Sequence, residues 1–135
     1  MQAQLIEQLG TELYQALVDA KTVKPLTDRH PDISIEDAYQ IQQQLMKLRL
    51  AAGERVIDKK IGVTSKAVMN MLGVYQPDFG YLTDGMVYNE GQAIPMSRLI
   101  QPKAEGEIAF VLKKTLKGPG ISSADVLAAT EGVMA

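Results

Sequence analysis

The chain contains 135 residues, of which 46% are hydrophobic and 22% charged, with a formal net charge of −2 and no cysteine. These values are typical of one globular domain that buries a core without disulfides in a reducing compartment, so we predict a cytoplasmic protein. They argue against nucleic acid and membranes as partners, because the chain has no basic excess, no charged block, no signal peptide and no membrane-spanning window.

Two amphipathic helices are predicted in the first part of the chain. Leucines at helical spacing predict the first helix over residues 2–20, with an interruption or softening at Gly10. Ser34 and Asp37 have the spacing of a capping box, and the apolar period that follows predicts a second helix up to Gly53. The cluster of glutamines in the second helix is predicted to be solvated surface.

The segment between these helices contains the only histidine of the chain. Two prolines in residues 21–33 predict an extended linker rather than a regular helix. His30 lies just before Pro31, and as a catalytic base it would need a partner side chain nearby. We therefore interpret His30 as a loop residue without a catalytic role.

A strand followed by a short helix is predicted over residues 55–73, with a serine or threonine as the helix cap and Gly73 as its end. Lys59 and Lys60 are adjacent, so they must point to opposite faces of the strand. One of them can therefore face inward, as a charge partner or proton donor. The alternative is that both are surface lysines whose stems lie on the sheet.

Residues 74–95 alternate turn residues with short β-prone runs. Asp78 follows Pro77 and precedes an aromatic residue and a glycine. An acid at such a position either stabilises a turn or belongs to a functional site. Spacing alone favours the turn.

A central strand is predicted from the run QPKAEGEIAFVLKK at residues 101–114. Alternation along an extended chain places Glu105 and Glu107 on one face, roughly 7 Å apart. Gly106 between them occupies a position where a ligand or another backbone often approaches. Two carboxylates suit Mg²⁺ or Mn²⁺, whereas one histidine and no cysteine exclude a zinc site rich in imidazole or thiolate. The alternative is an edge strand whose acids face solvent or pair with lysines.

A last helix is predicted from Ser122 or Ser123 to Ala135. Apolar residues continue to the final position, and the sequence shows no C-cap or polar tail. We therefore expect the chain to stop inside this helix.

Four stretches together resemble one enzyme family. They are KKIGVTSKAVMNMLGV at residues 59–74, QPDFGYL at 76–82, SIEDAY at 34–39 and EGEIAF at 105–110. Over essentially its whole length the chain resembles the 2-hydroxypenta-2,4-dienoate hydratases (2-oxopent-4-enoate hydratases) of the fumarylacetoacetate hydrolase superfamily. The Glu-x-Glu element is shared across the superfamily, whereas QPDFGYL separates the hydratases from the similar 4-oxalocrotonate decarboxylases.

The resemblance implies an α+β fold, with a helical N-terminal region at residues 1–54 and the first part of a mixed β catalytic core, truncated at its C-terminus, at residues 55–135. It implies a hydro-lyase that adds water to 2-hydroxypenta-2,4-dienoate, giving 4-hydroxy-2-oxopentanoate in the meta-cleavage degradation of aromatic compounds. It also implies a homo-oligomer, and a complex with a sister pathway enzyme is a further expectation.

Roles for four residues follow from the same resemblance. Glu105 and Glu107 match two family ligands of a divalent metal, Mg²⁺ or Mn²⁺. Lys60 and Asp78 match active-site residues that handle the charge and the protons of the substrate. A 2-hydroxy-dienoate suits such a site, because its carboxylate and enol oxygen form a bidentate pair for a hard cation.

Family members continue well beyond residue 135, and the third metal carboxylate is expected in that continuation. Glu131 lies on the segment leading there and is not assigned the ligand role. We therefore expect the parent protein to be an enzyme, and residues 1–135 alone not to be a competent hydratase. The alternatives are decarboxylation by the same kind of site, and a non-catalytic fragment or partner subunit.

Overall fold

The computed structural model describes residues 1–134, which form helices and short antiparallel strands. The predicted α+β class is confirmed in that the described residues contain both helices and strands. The chain divides into two compact units, Met1–Ile100 and Gln101–Ala135. In chain order the elements are α1 (Ala3–Val18), α2 (Leu26–Arg29), α3 (Ile35–Ala51), β1 (Val56–Gly62), α4 (Lys66–Leu72), β2 (Asp78–Thr83), two 3₁₀ turns (Asp84–Met86 and Met96–Arg98), β3 (Ala109–Leu112), α5 (Ser123–Ala129) and β4 (Thr130–Met134).

Helices α1 and α3 pack together around a small core that contains Ile6, Leu9 and Ile41. The predicted interruption at Gly10 is wrong, because α1 runs through this position. A β-carbon at Gly10 would lie 2.6 Å from Gln44 Cβ and 2.7 Å from the Ile41 carbonyl oxygen. Gly10 is therefore the point of close approach between the two helices rather than a break in one of them.

The capping box predicted at the start of α3 is confirmed. The Asp37 backbone N–H donates to Ser34 Oγ at 3.1 Å, and the Ser34 backbone N–H donates to Asp37 Oδ2 at 3.1 Å. The N-terminal ammonium of Met1 also donates to Asp37 Oδ1 at 2.8 Å. These bonds, first the one from the ammonium and then those from Ser34, lower the pKa of Asp37 because they stabilise its charged form.

The linker between α1 and α3 is predicted to be extended, and this is only partly right. It contains the single helical turn α2. Pro25 occupies the N-cap of this turn, where its missing N–H costs nothing. Arg29 joins the turn to α1 through an ion pair of 3.0 Å with Glu12. His30 is the C-cap residue of α2.

Strands β1 and β2 form an antiparallel sheet in the first unit, with Lys60 opposite Gly80 and Gly62 opposite Asp78. The strand and the short helix predicted in this part of the sequence are both confirmed. Helix α4 begins at a serine cap and ends at Gly73, whose φ of 66° lies in the left-handed region that favours glycine.

A buried ionic network joins the end of α3 to the end of β2. Arg49 is buried, and its guanidinium donates to Glu54 Oε2 at 2.9 Å and to Thr83 Oγ1 at 3.1 Å. The Thr83 hydroxyl also donates to Glu54. Beside this network, the backbone N–H and the guanidinium of Arg55 donate to Asp84, which lowers the pKa of that carboxyl. The turn at the sheet end is thus fixed by charge-assisted hydrogen bonds.

The second unit contains the antiparallel pair β3 and β4, with Ala109 opposite Met134 and Leu112 opposite Thr130. The predicted strand over residues 101–114 is therefore too long. The strand begins only at Ala109, after Glu105 and Glu107. Gly106 between these two acids weakens extended structure there.

The predicted C-terminal helix is too long as well. Helix α5 starts at a capping box formed by Ser122 and Asp125, as predicted, but it ends at Ala129. The following residues pair with β3 because β-branched side chains at Thr130 and Val133 favour a strand. The expectation that the chain stops inside a helix is wrong. Among residues 1–134, no helix has the length and apolar character needed to cross a membrane.

Candidate active site

One face of the first sheet carries two charged side chains separated by two glycines. Lys60 and Gly62 lie on the same side of β1, and directly across the ladder lie Gly80 and Asp78. Lys60 and Asp78 are therefore diagonal neighbours, whose backbones are typically 7–8 Å apart. A β-carbon at Gly80 would meet nothing within 4 Å, so the space beside this glycine is open. We call this surface the Lys60–Asp78 face.

The opposite face of the same sheet lies toward α3. The rings of Phe79 and Tyr39 are 6.5 Å apart between centroids, and Tyr81 lines an apolar groove together with α3 residues. Lys59 shares this second face, since it lies opposite Tyr81 in the ladder. Lys59 is exposed, whereas Lys60 on the other face is half-buried. The two adjacent lysines thus occupy different environments.

Two side chains of α3 hold β2 beside Asp78. The Phe79 backbone N–H donates to Tyr39 Oη at 3.2 Å, and Gln42 Nε2 donates to the Phe79 carbonyl oxygen at 3.0 Å. Both main-chain groups of the residue that follows Asp78 are therefore tied to a helix. The α3 glutamines are predicted to be solvated surface, and Gln42 is half-buried with a partner 37 residues away in the sequence.

Asp78 is the first residue of β2 rather than only a turn residue. Its carboxylate lies over Gly62, because a β-carbon at that position would be 2.1 Å from Asp78 Oδ1 and 3.0 Å from its Cγ. The chain then leaves β1 through Val63, which has a φ of 55°. A β-branched residue in this left-handed region is strained, and such strain is concentrated at functional sites in proteins.

The two acids predicted as metal ligands lie in the second unit. Glu105 and Glu107 are exposed and precede β3, in a segment without helix or strand. A β-carbon at Gly106 would meet nothing within 4 Å, so the space beside this residue is open. Two carboxylates are suitable donors for a hard divalent cation. Within residues 1–134, however, no group of three histidine, cysteine or acidic residues could hold a metal ion.

Known hydratases are similar to this chain over nearly its whole length. No family model matches the chain. It is 69% identical over 135 residues to a 2-hydroxypent-2,4-dienoate hydratase of Pseudomonas putida, covering 99% of this chain and 61% of that protein. It is 60% identical over 132 residues to a 2-hydroxyhexa-2,4-dienoate hydratase of Comamonas testosteroni, covering 96% of this chain and 50% of that protein.

A solved structure has the same fold. The 4-oxalocrotonate decarboxylase from Pseudomonas putida G7, complexed with magnesium and adipate, matches 98% of this chain and 51% of its own length with a TM-score of 0.93 and 32% identity. The chain thus has the fold of about half of a decarboxylase of the fumarylacetoacetate hydrolase type. The predicted resemblance to the 2-hydroxypenta-2,4-dienoate hydratases of the fumarylacetoacetate hydrolase superfamily is confirmed. It spans 50–61% of the length of the two hydratases described above.

Proposed function

We propose that the complete gene product hydrates 2-hydroxypenta-2,4-dienoate to 4-hydroxy-2-oxopentanoate in the meta-cleavage degradation of aromatic compounds. The observation that carries this proposal is the 69% identity to the Pseudomonas putida hydratase across 99% of this chain. Identity to a 4-oxalocrotonate decarboxylase of Pseudomonas sp. (strain CF600) is 37% over 126 residues. Hydration is therefore favoured over decarboxylation.

Lys60 and Asp78 are the proposed catalytic residues. In the reaction, the enol proton leaves the substrate and a proton is added at its terminal methylene carbon, giving an α,β-unsaturated ketone. Water then adds to the carbon β to the ketone, and a proton is added to the α carbon. The ammonium of Lys60 would bind the negative charge that develops on the substrate oxygens. The carboxylate of Asp78 would transfer a proton, either to or from the water that adds or to or from a carbon of the substrate.

Glu105 and Glu107 are the proposed ligands of a divalent metal, Mg²⁺ or Mn²⁺. Their donor chemistry fits, because carboxylate oxygens suit hard cations. When bound, such a cation supplies positive charge that stabilises an enolate. The decarboxylase of matching fold is complexed with magnesium or calcium, which supports the proposal.

The oligomeric state, the cellular location and the domain boundary of the protein are also proposed. Exposed apolar side chains on both sheets, such as Phe79 at 55% and Met134 at 61% exposure, favour a homo-oligomer or further covering elements. The absence of cysteine favours the cytoplasm. A boundary near residue 55 between a helical region and the catalytic core agrees with the change from helices to strands along the chain.

The test is an assay of the complete gene product with Mg²⁺ or Mn²⁺. We expect loss of the dienol absorbance of 2-hydroxypenta-2,4-dienoate together with formation of 4-hydroxy-2-oxopentanoate, and no CO₂ release from 4-oxalocrotonate. The six-carbon analogue 2-hydroxyhexa-2,4-dienoate, assayed in parallel, measures how far the site tolerates a longer substrate. CO₂ release without hydration would identify a decarboxylase, and no turnover with either substrate would favour a non-catalytic subunit.

A further inference from the structure

Gly62 has no conformational reason to be glycine. Its φ lies outside the left-handed region, and it is the following residue, Val63, that has a positive φ. Glycine within a strand weakens that strand, because it has a high conformational entropy and no side chain to pack. The reason for glycine at this position must therefore be the space that it leaves.

That space is filled by the carboxylate of Asp78. A β-carbon at position 62 would lie 2.1 Å from Asp78 Oδ1, 3.0 Å from Cγ and 3.4 Å from Oδ2, and the first of these distances is far below van der Waals contact. Asp78 is also the cross-strand partner of Gly62. Its backbone is fixed on the other side by Tyr39 and Gln42 through Phe79, so the strand cannot easily move away.

We infer that Gly62 is a positioning residue that sets the orientation of the Asp78 carboxylate in the hydration reaction. This inference rests on the proposed function of Asp78 as the proton-transfer group. A methyl group at position 62 would turn the carboxylate out of its place on the Lys60–Asp78 face. Displacement of a catalytic group by about 1 Å can reduce turnover by about 100-fold.

The experiment is a double-mutant cycle in the complete gene product. Gly62→Ala is compared with wild type, and Gly62→Ala/Asp78→Ala with Asp78→Ala, by thermal unfolding. Because Asp78→Ala removes the carboxylate, the change in melting temperature caused by the methyl group should be less favourable in the first pair than in the second. Gly80→Ala is the matched control for unfolding, since it adds a methyl to the same face where nothing lies within 4 Å.

Turnover is measured in the same variants together with Asp78→Asn. We expect Gly62→Ala to lose about 100-fold in kcat, and Gly62→Ala/Asp78→Asn to be no slower than Asp78→Asn, because Gly62 acts only through the carboxylate. The inference would be overturned if Gly62→Ala changed the melting temperature equally in wild type and in Asp78→Ala. It would also be overturned if the loss of turnover in Gly62→Ala/Asp78→Asn were the product of the losses in the two single variants. If Gly62→Ala does not fold, it must fold again when combined with Asp78→Ala, and failure to do so also overturns it. Full turnover by Asp78→Asn would instead refute the proposed role of Asp78 and leave the steric coupling intact.

Discussion

The paired helices α1 and α3 and the two small sheets differ in how their apolar residues are covered. In the helices, Leu9 and Ile41 are only 2% and 1% exposed. On the strands, Ile61, Phe110 and Val133 are 51–62% exposed. A helix satisfies its backbone hydrogen bonds internally and needs one packed face, whereas a two-stranded sheet has two faces and is marginal alone. The helices therefore bury a small core, which the two sheets lack within residues 1–134.

The candidate catalytic residues lie with the less covered elements. Lys60 and Asp78 are on the first sheet, and Glu105 and Glu107 precede the first strand of the second. Binding sites commonly use side chains near strand ends and loops, where the backbone is fixed but the side chains remain accessible. The contrast predicts that substitutions on the strands and their flanking loop mainly alter activity, while substitutions in the helical core mainly alter stability.

The largest effect is expected on turnover from Glu107→Gln. The substitution keeps the shape of the side chain but removes one ligand charge, and electrostatic stabilisation by a metal contributes several kcal/mol, so turnover should fall at least about 100-fold. Turnover is measured in the complete gene product against metal concentration. Glu90→Gln, in an exposed loop, is the control and should change little. Near-normal turnover of Glu107→Gln without added metal would disprove the metal assignment.

The next largest effect is expected on stability from Ile41→Ala. Ile41 is almost fully buried between α1 and α3, so its truncation leaves a cavity and should lower the free energy of unfolding by about 2–5 kcal/mol. Chemical denaturation of the complete gene product measures the change. Ile57→Ala removes the same atoms from a residue that is 53% exposed, and should cost about 0.5 kcal/mol or less. Equal costs at the two positions would contradict the contrast between helices and sheets.

Val63→Gly is expected to change the free energy of unfolding by a smaller amount than Ile41→Ala and in the opposite direction. Val63 has a φ of 55°, a conformation that costs roughly 1–2 kcal/mol for a residue with a side chain and little for glycine. The substitution should raise the free energy of unfolding by about 1 kcal/mol or less, because glycine also loses more entropy on folding. Val87→Gly is the matched control, since Val87 is extended with a φ of −83° and should be destabilised. Destabilisation at both positions would show that Val63 is not strained.

The smallest effect is a pH dependence of stability at Asp84. Hydrogen bonds from the backbone and side chain of Arg55 lower the pKa of Asp84 below its ordinary value of 3.8. The ion pair therefore stabilises the folded state fully above about pH 5, and this stabilisation is lost as the pH falls through the pKa of the folded state. The difference in unfolding free energy between wild type and Asp84→Asn should be constant above that range and shrink below it. A difference that grows on acidification would contradict the assignment.

Local features of the fold were predictable from the sequence. The capping box of Ser34 and Asp37 and the glycine end of α4 at Gly73 depend on residues three or four positions apart, so they can be recognised in one short window. Strand lengths were not predictable in this way. The strand at Ala109–Leu112 is defined by its partner Thr130–Met134, and the β-prone sequence before it does not reveal where that pairing begins.

The candidate site was predictable only in part. Alternation shows that Lys59 and Lys60 face opposite sides, but not which side carries Asp78, because that depends on the register of β1 against β2. The hydrogen bond from Gln42 to Phe79 joins residues 37 positions apart. The close approach of the Asp78 carboxylate to Gly62 also depends on the register of β1 against β2. A glycine inside a strand is the one sequence signal that could have indicated this close approach.

The most direct test of the proposed catalytic face compares Lys60→Met with Lys59→Met in the complete gene product. Both substitutions remove one positive charge from neighbouring positions on β1, but only Lys60 shares a face with Asp78. Removal of a group that stabilises developing charge typically costs about 10²–10³-fold in kcat, so Lys60→Met should lose that much while Lys59→Met stays within a few-fold of wild type. If Lys59→Met abolishes hydration of 2-hydroxypenta-2,4-dienoate and Lys60→Met does not, the Lys60–Asp78 face is not the catalytic one.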